Sequence, residues 1–221
     1  MNNQKTAIVI GATGLTGRLL VSKLIGDDSY KTIKLFSRRS SEIASPKIEE
    51  YVGDVLHLEQ FKKDFFADEV FVCVGTTSAR TKDRRVYHAI DFGIPVSAAR
   101  MAKENSIPVF MVISALGSNP GSRIFYNRTK GEMEQAVLEQ EISSTYILRP
   151  SLILGQREEG RFGESLGAVF LKVLQVFLQG NLKKYRAIKA ESIAAAMIEL
   201  AGSLPDKQII DSDLIQKLGE K

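Results

Sequence analysis

Apolar positions along the chain fall into two alternating kinds of run. Short stretches rich in β-branched and aromatic residues predict strands near Thr6–Ile10, Thr32–Ser37, Glu50–Val52, Glu69–Val74, Pro108–Ser114 and Ser144–Leu148. Between them, apolar residues at helical spacing predict helices over Thr16–Ile25, part of Leu58–Phe66, Arg84–Glu104 and Phe125–Gln140. Several strands are apolar throughout, as in Ala7-Ile8-Val9-Ile10 and Val70-Phe71-Val72-Cys73-Val74. A strand needs that pattern when helices cover both faces of its sheet. The alternation therefore predicts an α/β fold, a doubly wound parallel sheet of the Rossmann type, with ligand outside the carboxyl ends of the strands.

After Arg149-Pro150 the pattern changes. Leu166–Leu178 is apolar almost all round but too short to span a bilayer, which predicts a buried element or a subunit interface. A helix from about Ser192 to Ala201 and a short strand at Gln208–Asp211 follow. One domain over residues 1–221 is expected, with residues 151–221 contributing a small substrate-facing lobe. That remainder is too short for a large substrate domain.

Composition narrows the function classes. The hydrophobic share of 44% and charged share of 25% are those of a globular protein. The net charge of +4 is mild and its basic residues are scattered, so nucleic acid is not expected as a partner. A lone cysteine, Cys73, excludes an internal disulfide and, inside an apolar run, reads as a core thiol. The start Met1-Asn2-Asn3-Gln4-Lys5 lacks the apolar region of a secretory signal, and no run is long enough to span a membrane. The expected location is cytoplasmic. His57 and His88 lie outside any cluster with metal-ligand spacing, so no metal is expected.

The most specific signal is Gly11-Ala12-Thr13-Gly14-Leu15-Thr16-Gly17-Arg18, between the first strand and the first helix. Gly11 permits the turn out of the strand, Gly14 lets backbone approach phosphate, and Gly17 lets the helix pack closely. The helix N-terminus supplies free N–H groups and the positive end of a dipole. This is a dinucleotide cradle, with Thr13, Leu15 and Thr16 completing it. An acidic residue about 20 positions further on would bind the ribose 2′-hydroxyl of NAD. Here that count reaches Ser37, followed by Arg38 and Arg39. A hydroxyl and two guanidiniums suit a 2′-phosphate, and Arg18 is within reach of the same group. NADP is expected in preference to NAD.

Reduction of a carbonyl also needs a proton donor. A tyrosine and a lysine four apart share a helix face, where the ammonium would lower the phenol pKa from about 10. Three pairs have that spacing: Tyr30/Lys34, Tyr126/Lys130 and Tyr185/Lys189. The first runs into a strand, where four residues span about 13 Å and the side chains cannot cooperate. The third has β-type neighbours and lies far from the cradle. Tyr126/Lys130 opens a helix just after a strand that ends in Ile113-Ser114-Ala115, at the ligand edge. The basic loop Ser78-Ala79-Arg80-Thr81-Lys82-Asp83-Arg84-Arg85 reaches the same edge, where it would guide an anionic substrate or cofactor phosphates, or simply be solvated. Arg157-Glu158-Glu159-Gly160-Arg161 reads as a polar loop or a flap over the substrate.

The glycine motif, Val74-Gly75-Thr76-Thr77, Ser114 and the Tyr126/Lys130 pair stand in the order of the short-chain dehydrogenase/reductases. The chain resembles their atypical branch, the Tat-interacting-protein-like oxidoreductases. That resemblance implies that Ser114 holds the substrate oxygen and that Tyr126 is the acid in reduction and the base in oxidation. It implies that Lys130 also bonds the nicotinamide ribose, and that Asp54-Val55 contacts adenine. Val74, Gly75 and Thr76 would lie along the cofactor, and Pro150, Ser151 and Leu152 beside the carboxamide. Many relatives carry an asparagine where Asp91 stands, which puts a water-linked relay in doubt. Paired long helices make homodimers common in that family.

Three functions compete. One is an NADP-dependent oxidoreductase acting on a small carbonyl or alcohol. A second is a non-catalytic NADP-binding regulator working through protein contacts, with Leu166–Leu178 as its surface. The third is a reductase whose cofactor acts without a tyrosine. An intact Tyr126/Lys130 pair favours the first.

Overall fold

The structure, a computed structural model, describes residues 4–77, 79–155 and 178–220. Strand β1 (Lys5–Ile10) runs into helix α1 (Leu15–Gly26), followed by β2 (Tyr30–Ser37) and β3 (Ile48–Val52). A 3₁₀ segment (Val55–Phe61) leads to β4 (Glu69–Val72). Helix α2 spans residues 84–104, as Arg84–His88, a π-helical turn Ala89–Gly93 and Ile94–Glu104. Then come β5 (Val109–Ile113), α3 (Phe125–Leu138), β6 (Ser144–Arg149) and β7 (Ile153–Leu154). A 3₁₀ segment (Gly180–Tyr185), β8 (Ile188–Lys189), α4 (Ala190–Ser203), β9 (Ile209–Asp211) and α5 (Ser212–Gly219) complete the order.

Seven strands form one sheet in the order β3-β2-β1-β4-β5-β6-β9, with every pairing parallel. The doubly wound expectation is met. Strand order reverses between β1 and β4, and that switch point opens a crevice at the carboxyl ends. Successive residues of each strand serve opposite layers. Val9, Leu35, Phe71, Met111 and Leu148 pack with Leu20 and Leu24 of α1 and with Ile193, Met197 and Leu200 of α4. Ile8, Phe36, Val70, Val72, Phe110 and Ile147 pack with Ala98 and Ala102 of α2 and Met133 and Val137 of α3. This two-sided burial is the cause of the continuous apolar strands.

The structure differs from expectation at four points. β4 stops at Val72 rather than Val74, because the chain turns out of the sheet under Gly11 once Cys73 N–H has bonded to Ile10 O (2.8 Å). The helix of residues 84–104 is continuous but widened at Ala89–Gly93. Pro95 explains this: it has no N–H for the Asp91 carbonyl and its ring crowds that group, so the turn opens to a π form. An unexpected helix, α5, closes the chain, built on Leu214, Ile215 and Leu218. A separate two-stranded parallel sheet pairs β7 with β8. The flap expectation at Arg157–Arg161, Ser78, and nearly all of Leu166–Leu178 lie outside the described residues. Among the described residues no helix is long and apolar enough to cross a membrane.

Candidate active site

The glycine motif forms the turn from β1 to α1. Gly11 sits at φ +93°, and a Cβ there would lie 2.8 Å from the Cys73 carbonyl carbon. Only glycine satisfies both the backbone angle and that close approach. A Cβ on Gly17 would lie 2.8 Å from the Gly11 carbonyl carbon and nearer still to its oxygen, so this glycine lets α1 press onto the turn. Gly14 is the helix N-cap, and neither a capping side chain nor an acidic residue serves the first turn. Thr13, Gly14 and Leu15 are exposed beside it, while Thr16 is buried. An exposed helix start with uncapped N–H groups, fronted by a glycine, fits a pyrophosphate. The Leu15 side chain fills the space a Cβ on Gly155 would need, so the cradle packs against the chain just after β7.

At the end of β2, Ser37 is buried and its hydroxyl donates to Arg39 O (2.6 Å). Arg18, Arg38 and Arg39 are all exposed. A carboxylate that sequence reasoning missed, Glu50 of β3, lies under this loop. It accepts from Ser40 Oγ (2.6 Å), Ser41 N–H (2.7 Å) and Ser41 Oγ. Those bonds hold its carboxyl below the usual range, so it anchors the arginine loop as an anion. Asp54 caps the 3₁₀ segment by accepting Leu56 N–H (3.0 Å), with Val55 buried behind it.

The loop after β4, with Val74, Gly75 and Thr76, passes close to Lys130 and Asp91. A Cβ on Gly75 would lie 3.6 Å from Asp91 Oδ1 and 3.9 Å from Lys130 Nζ. Lys130 is 3% exposed, with Nζ 2.9 Å from Asp91 Oδ1 and donating to Ile113 O (3.3 Å). Asp91 is fully buried on the π turn, and its Oδ2 accepts Thr76 N–H (2.8 Å). One side chain thus holds both the lysine and the loop after β4. Tyr126 sits one turn before Lys130 on α3, its ring edge-on to Tyr87 at 6.5 Å. Tyr87 in turn donates to Thr76 O (3.2 Å).

This geometry corrects one electrostatic expectation. Burial first, and the Asp91 charge second, push the Tyr126 phenol up to about 12. The lysine's charge is engaged by Asp91, so it does not lower the tyrosine. At neutral pH Tyr126 is a phenol, a proton donor.

Ser114 is 4% exposed at the end of β5, yet its hydroxyl donates to Glu134 and lies 3.0 Å from Ser118 Oγ. Glu134 also receives Arg149 Nε (2.9 Å) and Nη2. No hydrogen bond among the described residues joins Ser114 to Tyr126. The structure therefore brings Tyr126 and Lys130 together with Asp91, and Ser114 together with Glu134 and Arg149. Glu134 had a signal in the sequence: it lies four residues past Lys130, next to Met133, on the buried face of α3. Pro150 is buried and its carbonyl accepts Leu116 N–H (2.9 Å), while Leu152 is exposed. Tyr30 and Tyr185 lie apart from this site: Tyr30 OH donates to Glu69 (2.6 Å) at the start of β2, and Tyr185 ends the second 3₁₀ segment.

The NAD(P)H-binding family matches residues 11–202. The chain is 31% identical over 217 residues to Protein FMP52, mitochondrial, of Candida albicans, covering 93% of each sequence. It is 29% identical over 170 residues to Protein HTATIP2 of Rattus norvegicus, covering 75% of this chain and 70% of that one. Among solved structures, UDP-glucose 4-epimerase of Thermotoga maritima superposes with a TM-score of 0.69 at 16% identity, over 97% of this chain and 82% of that chain. WbmH of Bordetella bronchiseptica, in complex with NAD+, gives 0.68 at 13% identity, over 90% and 73%. The names of the fungal relatives overturn the cytoplasmic expectation, since they are called mitochondrial. A lone free cysteine does not separate those compartments. Cradle, parallel sheet and sequence likeness agree, and the chain belongs to the NAD(P)H-binding family, among the atypical short-chain dehydrogenase/reductases.

Proposed function

We propose that this protein is an NADP-dependent oxidoreductase that moves a hydride between a nicotinamide and a small carbonyl or alcohol. The observation that carries the reading is the half-buried Tyr126 one turn from the buried Lys130–Asp91 pair, in a chain that also carries an uncapped glycine cradle. The cofactor, when bound, supplies or accepts the hydride. Gly11, Gly14 and Gly17, with Thr13, Leu15 and Thr16, cradle the pyrophosphate. Arg18, Ser37, Arg38 and Arg39 receive the 2′-phosphate. Asp54 and Val55 border the adenine, Val74, Gly75 and Thr76 line the cofactor, and Pro150 and Leu152 flank the carboxamide.

Tyr126 gives its proton to the substrate oxygen during reduction and takes it back during oxidation. A phenol held near 12 keeps its proton at working pH, which suits reduction. Lys130 faces the ribose and, through Asp91, is tied to the loop that lines the cofactor. Ser114 either turns from Glu134 to meet the substrate oxygen or supports the loop that does. A regulator that only sensed NADP would have no need for a buried lysine beside a tyrosine.

Fluorescence titration of NADPH and NADH tests the cofactor assignment. Wild type should bind NADPH more tightly, and Arg38→Ala/Arg39→Ala should lose that preference. Tyr126→Phe should keep NADPH binding and lose about 10²–10⁴ in reduction rate. Binding of neither nucleotide would reject the cradle, and full activity of Tyr126→Phe would reject its role as acid.

A further inference from the structure

A cavity of about 280 Å³ opens against the Tyr126 ring. Tyr87, Ile124, Phe125 and Tyr126 form apolar and aromatic walls, and Lys82 and Arg84 line the same space. Both cations are exposed, and neither enters an ion pair among the described residues. The one carboxylate between them, Asp83, caps α2 by accepting Arg85 N–H (2.8 Å) and pairs with the Arg85 guanidinium (3.7 Å). Arg84 is positioned rather than free: its guanidinium carbon lies 5.2 Å from the centre of the Phe125 ring. Phe125 packs edge-on against Tyr87 at 5.5 Å and precedes Tyr126 in the chain. The arginine is thus fixed to the same wall as the proton donor. A purely solvated basic loop requires neither that stacking nor a cavity beneath it.

We propose that this pocket takes a carbonyl substrate carrying a carboxylate beside a compact apolar group. The carbonyl oxygen meets Tyr126, the apolar group packs on Phe125 and Ile124, and the carboxylate is held by Arg84 and Lys82. An arginine fork matches a carboxylate with two parallel bonds, and stacking on an aromatic ring costs it little freedom. The volume suits a compact molecule. This assignment rests on the reading of Tyr126 as the proton donor to a carbonyl.

The test uses phenylglyoxylate and its methyl ester, which share a ring and a ketone and differ in charge. Ligand-observed NMR would measure both on wild type and on Lys82→Gln/Arg84→Gln, with NADPH affinity measured on each protein. The acid should bind about tenfold more tightly than the ester, and the variant should lose that difference. NADPH affinity should stay within about twofold, and the exposed positions leave the fold intact. Equal binding of acid and ester, or failure of both to bind, would overturn the assignment. A variant that loses NADPH affinity instead would assign the cations to the cofactor phosphates. Inorganic phosphate displacing the acid at lower concentration would replace the carboxylate by a phosphate. Acid binding that needs Lys82 and Arg84, with no reduction by wild type, would uphold the pocket and reject the hydride-transfer reading.

Discussion

Replacing Asp91 by asparagine removes one charge and almost no volume, and the amide oxygen can still accept Thr76 N–H. What changes is the partner of Lys130. At 2.9 Å, with an effective dielectric of about 20, the pair's attraction is on the order of 6 kcal/mol, much of it offset by desolvation. Because Lys130 is 3% exposed, Asp91→Asn strands its ammonium away from water, at a cost of about 3–5 kcal/mol. For a chain of this size each kcal/mol lowers Tm by about 2–4 °C, so a fall of roughly 6–20 °C is expected in calorimetry. Adding Lys130→Met removes the stranded charge, and the double variant should melt well above Asp91→Asn alone. The same substitution has a kinetic signature. The carboxylate's charge helps hold Tyr126 up at about 12, so removing it lowers the phenol. Reduction needs the protonated form, and the alkaline limb of kcat/KM should move to lower pH. An Asp91→Asn protein that melts within about 2 °C of wild type, or single variants whose effects simply add, would refute a coupled buried pair.

Three further outcomes follow from local geometry. Gly17→Ala should destabilise by about 1–3 kcal/mol and weaken nucleotide binding, because its Cβ meets the Gly11 backbone, whereas Gly26→Ala, with nothing within 4 Å, should be neutral or slightly stabilising in the same melts. Ser114→Ala and Glu134→Gln should couple by about 0.5–3 kcal/mol in a double-mutant cycle on Tm, and additivity would contradict their bond. The Cys73 thiol, packed 4.0 Å from Met197 Sδ and pushed up by burial to about 12, should resist a thiol reagent in the native protein and react fully in denaturant. Since the unfolded thiol loses its proton near 9, Cys73 contributes stability that is intact below that pH and is lost as pH rises to about 12.

The sheet was readable because burial on both faces leaves a mark that single residues cannot hide. Val70 and Val72 serve one layer and Phe71 the other, so β4 has no polar face to interrupt the run. The glycine cradle was readable for a related reason, since a backbone approach of 2.8 Å at Gly11 excludes every other side chain. The π turn was less visible. Pro95 marks a stress in the helix but does not say whether the chain will break, kink or widen. Helix α5 carries a clear apolar stripe, Leu214, Ile215 and Leu218, but its few turns gave the period little length in which to show itself.

The electrostatics of the site were read with the wrong sign, and the reason is instructive about what spacing contains. Four residues on a helix put Tyr126 and Lys130 on one face, and that part of the inference depends only on helix geometry. Whether the lysine's charge reaches the phenol depends on what else faces it. Here the decisive group comes from another helix: the widened turn aims Asp91 at Lys130, and its second oxygen holds Thr76 of the loop after β4. Burial dominates, the Asp91 charge adds to it, and the phenol rises instead of falling. Ser114 follows the same logic. Its place at the end of β5 is a property of the strand, but the direction of its proton is decided by Glu134, an anion on the facing helix that also anchors Arg149. Elements and backbone turns are therefore legible one residue at a time. The protonation and aim of a buried polar group are properties of pairs from different elements, and they become visible only once the chain has folded.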